Sequence, residues 1–327
     1  MPLVLTVRTE RWPVAGSFAI ARGSRTESVV VVAELADGTH AGRGECVPYR
    51  RYGETVEKVV ATIEGQREAL AHGLDRAALQ TTMAPGAARN ALDCAFWDLE
   101  AKRAGKPVHA LAGLPPPRSL TTALTISFGT PDAMGAAAAK AAGRTLLKVK
   151  LGGDGDPERI AAVRRAAPRA ELIVDANESW SARNVADNLA ACTAAGVTLV
   201  EQPLPQSADD ALAGVPHPIP VCADESVHDR SSLDRLGSKY EAINIKLDKA
   251  GGLTEALRLA EEGERRGFKL MVGCMVATSL SMAPAVLVAQ RARVVDLDGP
   301  LILARDRPHG LVYEGSLVHP ATPELWG

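Results

Sequence analysis

From about residue 118 to residue 300 the chain repeats one unit: a short apolar, β-branched run followed by a stretch with helical spacing, about every 25 residues. Strands are expected at 121–127, 146–151, 171–176, 198–202, 219–224, 242–247, 269–274 and 293–298, and helices near 132–142, 157–166, 182–195, 206–213, 230–237, 253–266 and 279–291. Strands separated by a helix pair in parallel, and eight of them in strict alternation close into a ring. The expected fold is therefore α/β, a (β/α)7β-type barrel. Residues 301–327 lack a regular eighth helix and read as a C-terminal tail returning to the first domain.

Residues 1–117 follow a different rule. Alternating strands fill 1–45, with Asp37-Gly38 as a hairpin signal and a longer loop holding Arg22-Gly23-Ser24-Arg25. A second loop, Pro48 to Glu54, precedes a helical region from Val56 to Leu79 and a helix from Ala87 to Arg103. Strands then helices, segregated in sequence, indicate an α+β first domain over 1–117, ahead of the barrel at 118–300 and the tail at 301–327.

Charge excludes some partners. A net charge of −2 offers no surface for nucleic acid or membrane, and no apolar run is long enough for a bilayer. The N-terminus has no signal-peptide core, and five cysteines without a C-x-x-C pair make no disulfide framework. The expectation is a soluble, cytoplasmic protein acting on a small molecule; a homo-oligomer is compatible with this sequence but not specified by it.

Within the barrel, Lys148-Val149-Lys150 places two lysines on one face of an otherwise apolar strand. On an exposed edge strand they would be solvated. On a buried strand, two like charges make each other easier to deprotonate, and a neutral lysine is a base. The following strand ends favour the second reading. Asp175 with Asn177, Glu201, Asp224 with Glu225, Lys246, and Asp296 with Asp298 end successive strands or nearly so, and the steps Lys150→Asp175→Glu201→Asp224→Lys246 are 25, 26, 23 and 22 residues. One acid at a strand end is commonly the N-cap of the next helix. Charges in phase on six strands point instead to the C-terminal mouth of a barrel, where the chemistry of such folds lies.

Asp175, Glu201 and Asp224 stand on three neighbouring strands and need a cation; oxygen ligands without His or Cys favour Mg2+ over zinc. Lys150 and Lys246, four strands apart in a ring of eight, face each other across the mouth. A substrate carboxylate held at the metal would offer opposite faces of its α-carbon to the two lysines. One removes the α-proton, the metal stabilises the enolate, and the other returns a proton. The outcome is racemisation or epimerisation, with Lys148 holding Lys150 neutral and contacting the carboxylate. Asn177 and Glu225 stand beside the ligands and support them.

Lys148-Val149-Lys150, Asp175-Ala176-Asn177, Glu201-Gln202-Pro203, Ala223-Asp224-Glu225-Ser226 and Asn244-Ile245-Lys246 resemble the muconate-lactonising subgroup of the enolase superfamily. Ile20 to Arg25, Arg51 to Glu54, Gly86 to Asp93, Met271 to Met275 and Asp296 to Pro300 resemble its dipeptide epimerases, in particular those acting on Ala-Glu dipeptides. The resemblance covers all elements in order to about residue 300, and no catalytic position departs from it. It implies one Mg2+ per subunit and L-Ala-L-Glu to L-Ala-D-Glu epimerisation in murein peptide metabolism. It also implies that Asp296 and Asp298 bind the substrate α-ammonium, Arg25 the acidic side chain, and that Tyr52 helps close the site. Alternatives within the superfamily are o-succinylbenzoate synthase, a cycloisomerase, an N-acylamino-acid racemase, or a dipeptide epimerase with another side-chain preference. None of the first three has an ammonium to offer the acids on the last strand. A non-catalytic metal- or ligand-binding barrel would have no use for two opposed lysines.

Overall fold

A computed structural model describes residues 2–327. Three antiparallel strands, β1 (Val4–Ile20), β2 (Gly23–Ala36) and β3 (Ala41–Cys46), form the first sheet. The helix Ala87–Ala104 lies across it. Gly42 and Gly44 permit this approach: a Cβ on either would collide with the helix backbone at Ala91, Ala95 and Leu99.

After a short strand β4 (Leu120–Thr121) come eight parallel strands: β5 (Leu124–Ile126), β6 (Leu146–Lys150), β7 (Glu171–Asp175), β8 (Val197–Glu201), β9 (Val221–Ala223), β10 (Ala242–Ile245), β11 (Lys269–Gly273) and β12 (Val294–Asp296). They pair in sequence order. Ala123 N donates to Val295 O at 2.8 Å, joining the last strand to the first. The floor of the ring is one residue from each strand or its edge: Ala123, Leu146, Ile173, Leu199, Cys222, Ala242, Met271 and Val294, all buried in one apolar layer. Two residues further along, the same inward face carries Thr125, Lys148, Asp175, Glu201, Asp224, Asn244, Gly273 and Asp296. The polar ring is therefore the layer directly above the floor.

The eight strands fall where the alternation places them. Three local features differ. The helical region 56–79 is three helices, Val56–Glu64, Arg67–Ala71 and Arg76–Thr82, because Gly73 turns left-handed (φ 99°) and the Asp75 carboxylate caps Ala78 N at 2.8 Å. Expected helices at 206–213 and 230–237 are 3-10 turns, Asp209–Gly214 and Arg230–Arg235, confined between Pro205 and Pro216 and between Asp229 and Gly237. The longer loop expected around Arg22 to Arg25 is instead the tip of a long hairpin in which Arg25 already pairs with Phe18 on β1. Gly16 (φ 88°) lies in the register break between Pro13 and Phe18, and Ala19 O accepts Phe128 N at 3.0 Å, so the tip lies over the barrel.

After the helix Gly299–Ile302 the chain adds β13 (Tyr313–Glu314) and β14 (Leu317–Val318), which pair with each other and with β4. It ends against the first sheet's helix, where Gly327 N donates to Asp98 Oδ1 (2.8 Å) and Trp326 Nε1 to Cys94 O (3.1 Å). A buried joint ties three regions together. Glu45 at the end of β3 accepts from Thr278 N (2.9 Å), Thr278 Oγ1 (2.5 Å) and Arg307 (2.6 Å), and Arg307 also pairs with Glu10 (2.6 Å). The cysteines are all free, and no helix among the described residues is long and apolar enough to cross a membrane.

Candidate active site

The polar ring opens into a cavity between the barrel mouth and the cap. Lys148, Lys150, Lys246, Asp224, Asn177, Glu225, Asp296 and Asp298 line it from the barrel; Arg22, Arg25, Tyr49 and Tyr52 line it from the cap. Asp175 and Glu201 lie beneath, fully buried.

Each carboxylate of the ring is held by lysine. Lys150 Nζ is 2.6 Å from Asp175 Oδ2, and Lys246 Nζ is 2.6 Å from Asp224 Oδ2. Lys148 Nζ reaches three acids: Glu201 Oε2 at 2.6 Å, Asp296 Oδ2 at 2.8 Å and Asp175 Oδ2 at 3.3 Å. Burial alone would favour its neutral amine. The surrounding carboxylates Asp296, Glu201 and Asp175 more than offset this and push it well above the ordinary lysine value. Across the β6–β7 register Lys150 faces Asp175, while Lys148 spans to Glu201 and Asp296. At Lys246 burial also favours the amine, and Asp224 with Glu201 overrides it upward.

The acids diverge. Burial and the charge of Asp175 push Glu201 up to about 7. Asp224 is also buried, but Lys246, Lys249 and Lys148 hold it well below the usual carboxylate range. Glu201 Oε2, though close to Lys148, has no aligned hydrogen-bond donor. On the last strand Asp298 Oδ2 accepts Thr125 N at 2.7 Å, while Asp296 Oδ1 is buried without a partner. Burial and then Asp296 push Asp298 up to about 7.

Arg25 lines the cavity, and among the described residues no acidic side chain pairs with it. Tyr52 also lines it, edge-on to His228 with ring centres 4.6 Å apart. Glu225 is held by Arg22 at 2.7 Å, and Asn177 N donates to Asp175 Oδ1 at 2.9 Å.

Several contributors escape the strand-end pattern. Arg22, at the hairpin tip, binds Glu225, Asn177 O (2.9 Å), Glu178 (3.2 Å) and Tyr49 (3.1 Å). Arg51 from the second cap loop takes the same Glu178 at 2.8 Å and 2.9 Å, so both cap loops are latched to one acid. Lys249, in the turn Leu247–Ala250, holds Asp224 Oδ1 at 2.5 Å and its carbonyl at 2.6 Å. Gln202 accepts from the Asp224 and Ser226 amides at 2.8 Å and 3.1 Å. Left-handed backbone at Asn177 (φ 46°), Glu178 (φ 66°) and Gln202 (φ 34°) follows the ends of β7 and β8, a conformation retained where such contacts over-determine it. The only sequence signals were a second arginine beside Arg25 and a lysine one turn after Lys246.

A parallel eight-stranded barrel with acids on three adjacent strands, opposed lysines and an α+β cap defines a class. The family model "Mandelate racemase / muconate lactonizing enzyme, N-terminal domain" matches residues 3–113, and "Enolase C-terminal domain-like" matches residues 133–322. The chain belongs to the enolase superfamily, among relatives of the dipeptide epimerases. It is 48% identical to the L-Ala-D/L-Glu epimerase of Escherichia coli K12, over 95% of this chain and 97% of that one. It is 42% identical to an N-acetyl-D-glutamate racemase of Pseudoalteromonas, over 91% and 95%. Among solved structures, an enolase family member from Agrobacterium tumefaciens with homology to dipeptide epimerases, bound to sodium and L-Ala-L-Glu, superposes at a TM-score of 0.98, with 56% identity over 100% of both chains. The dipeptide epimerase of Enterococcus faecalis, complexed with Mg and L-Leu-L-Tyr, superposes at 0.91, with 27% identity over 98% of both.

Proposed function

We propose that this chain epimerises dipeptides at the α-carbon of the C-terminal residue, with L-Ala-L-Glu to L-Ala-D-Glu as its reaction. The observation that carries this is the placement of Lys150 and Lys246 on β6 and after β10, four strands apart, both lining one cavity. The lysine in its amine form accepts the α-proton; the other, as ammonium, delivers one to the opposite face. Lys148 stands ready to contact the substrate carboxylate. Asp296 and Asp298 receive the α-ammonium: Asp296 Oδ1 is a buried carboxyl oxygen with no hydrogen-bond partner. Arg25 faces the cavity to bind the acidic side chain of Glu, and Tyr52 closes over it. Residues 1–117 thus select the side chain, 118–300 hold the chemistry, and 301–327 tie the two together. A cytoplasmic role in murein peptide metabolism belongs to the same reading, supported by the likeness to Ala-Glu enzymes.

Asp175, Glu201 and Asp224 would hold Mg2+, with Asn177 and Glu225 beside them. No preformed cluster of three such ligands exists among the described residues; each of the three carboxylates has a lysine Nζ at 2.6 Å instead. The donors still fit a hard cation. They are oxygens only, and Glu201 is a buried acid whose Oε2 lacks an aligned donor. Bound there, the ion would neutralise charge developing on the substrate carboxylate as the α-proton leaves. Mg2+ at 100 times its dissociation constant is expected to stabilise the fold by about 2.7 kcal/mol relative to chelator, read as a rise in Tm. The same rise in Asp175→Asn and Asp224→Asn would place the ion elsewhere.

In D2O, L-Ala-L-Glu should exchange its Glu α-proton while converting to L-Ala-D-Glu; absence of exchange on every dipeptide tested overturns the function. The likeness to an N-acetyl-D-glutamate racemase supports a second reading, which the last strand discriminates. N-acetyl-L-Glu has no ammonium and would leave Asp296 and Asp298 unpaired, so it should exchange far more slowly. Asp298→Asn should lower kcat/KM on the dipeptide about 100-fold or more, since losing one partner of a buried charge pair costs about 2–5 kcal/mol. Unchanged dipeptide turnover in that variant would remove the ammonium assignment.

A further inference from the structure

A second cavity, open to solvent on its outer side, lies on the flank of the first, between the β1–β2 hairpin, β5, the end of the helix Pro131–Lys140 and the segment after β12. Phe18, Thr125 and Ile302 line both cavities. Thr125 N donates to Asp298, so this shared wall begins beside the acids of the last strand. Phe18 and Ile302 are half-buried and pack against the same buried trio, Val14, Val276 and Leu303. Behind them Leu124, Ile126, Ala137 and Ala141 give the second cavity an apolar interior, with Lys140 and Arg144 also on its lining.

If Asp296 and Asp298 hold the α-ammonium, the N-terminal α-carbon is bonded to their partner nitrogen, and its side chain starts next to this wall. We propose that Phe18 and Ile302 restrict the N-terminal residue of the substrate to a small side chain, and that the space behind them is what a larger apolar one would occupy. This rests on the dipeptide reading above. Neither residue carries chemistry, and both are only half-buried, so shortening them removes the wall with little loss of core.

The measurement is kcat/KM for L-Leu-L-Glu divided by that for L-Ala-L-Glu, in wild type, Phe18→Ala and Ile302→Ala. The ratio should rise about 10-fold or more in at least one variant, the discrimination that a few methylenes provide in an apolar pocket. Adding Ala137→Phe to the responsive variant refills the outer cavity from a position that does not line the active site, and should return the ratio toward wild type. An unchanged ratio in both single variants, with L-Ala-L-Glu still turned over, overturns the wall; so does a raised ratio that the refilling leaves untouched. Milder variants, Phe18→Leu and Ile302→Val, should shift the ratio in the same direction and stand in if either alanine variant fails to fold. Wild-type protein that exchanges no dipeptide α-proton overturns the dipeptide reading itself, a result distinct from an unchanged ratio.

Discussion

Lys150→Met and Lys246→Met should each lower conversion of L-Ala-L-Glu to L-Ala-D-Glu by about 10³-fold or more, within the range that positioned acid–base groups supply. Each variant removes one face's proton carrier and leaves the other in place. Each should therefore still exchange the α-proton of one epimer with D2O, a different epimer in the two variants, while failing to interconvert them. The fold should survive both changes. Without Lys150, Asp175 keeps Lys148 at 3.3 Å; without Lys246, Asp224 keeps Lys249 at 2.5 Å. Circular dichroism and Tm would check that point, and proton NMR in D2O would read the exchange. Near-wild-type interconversion in either variant removes that lysine from the reaction, and loss of exchange on both epimers in both variants removes the two-face scheme.

Arg307→Met should destabilise the protein by about 3 kcal/mol without touching the cavity. Glu45 is fully buried, and Arg307 is its only cationic partner among the described residues. Breaking a buried pair by removing one side leaves a charge uncompensated, at about 3–5 kcal/mol. The lower end applies because the Thr278 amide and hydroxyl still donate to Glu45. Burial already raises the Glu45 carboxyl above its ordinary 4.5, against the pull of Arg307 and Thr278. A folded acid with a raised value holds its proton more tightly than the unfolded chain does, so it costs stability at neutral pH, and the cost fades as pH falls through the folded value. Without Arg307 that value rises further. The deficit of the variant should therefore be largest near neutrality and shrink on acidification toward 4.5. Denaturant melts of both proteins at several pH values test this; a deficit independent of pH would show that lost packing, not charge, is responsible.

The catalytic face was legible because a strand has a side-chain period of two and the barrel repeats its unit. Apolar floor residues such as Leu146, Ile173, Leu199 and Ala242 lie two positions before Lys148, Asp175, Glu201 and Asn244. Once the strands are placed, the inward polar layer follows by counting, and closing the ring puts Lys150 and Lys246 on opposite walls. The short segments between Pro205 and Pro216 and between Asp229 and Gly237 were harder, since the helical pattern there cannot distinguish an α-helix from a 3-10 turn.

What the chain determined by itself is the barrel, its cap and the phase of its charged residues, all properties of local periodicity. What only the tertiary structure decided is which charges meet. Lys148 reaches from β6 past β5 to Asp296 on β12, 148 positions away. Arg22 is committed to Glu225, 203 positions away, which leaves Arg25 to face the cavity. These pairings depend on side-chain reach across a closed ring and on a hairpin folded over its mouth, distances that strand and helix spacing do not encode.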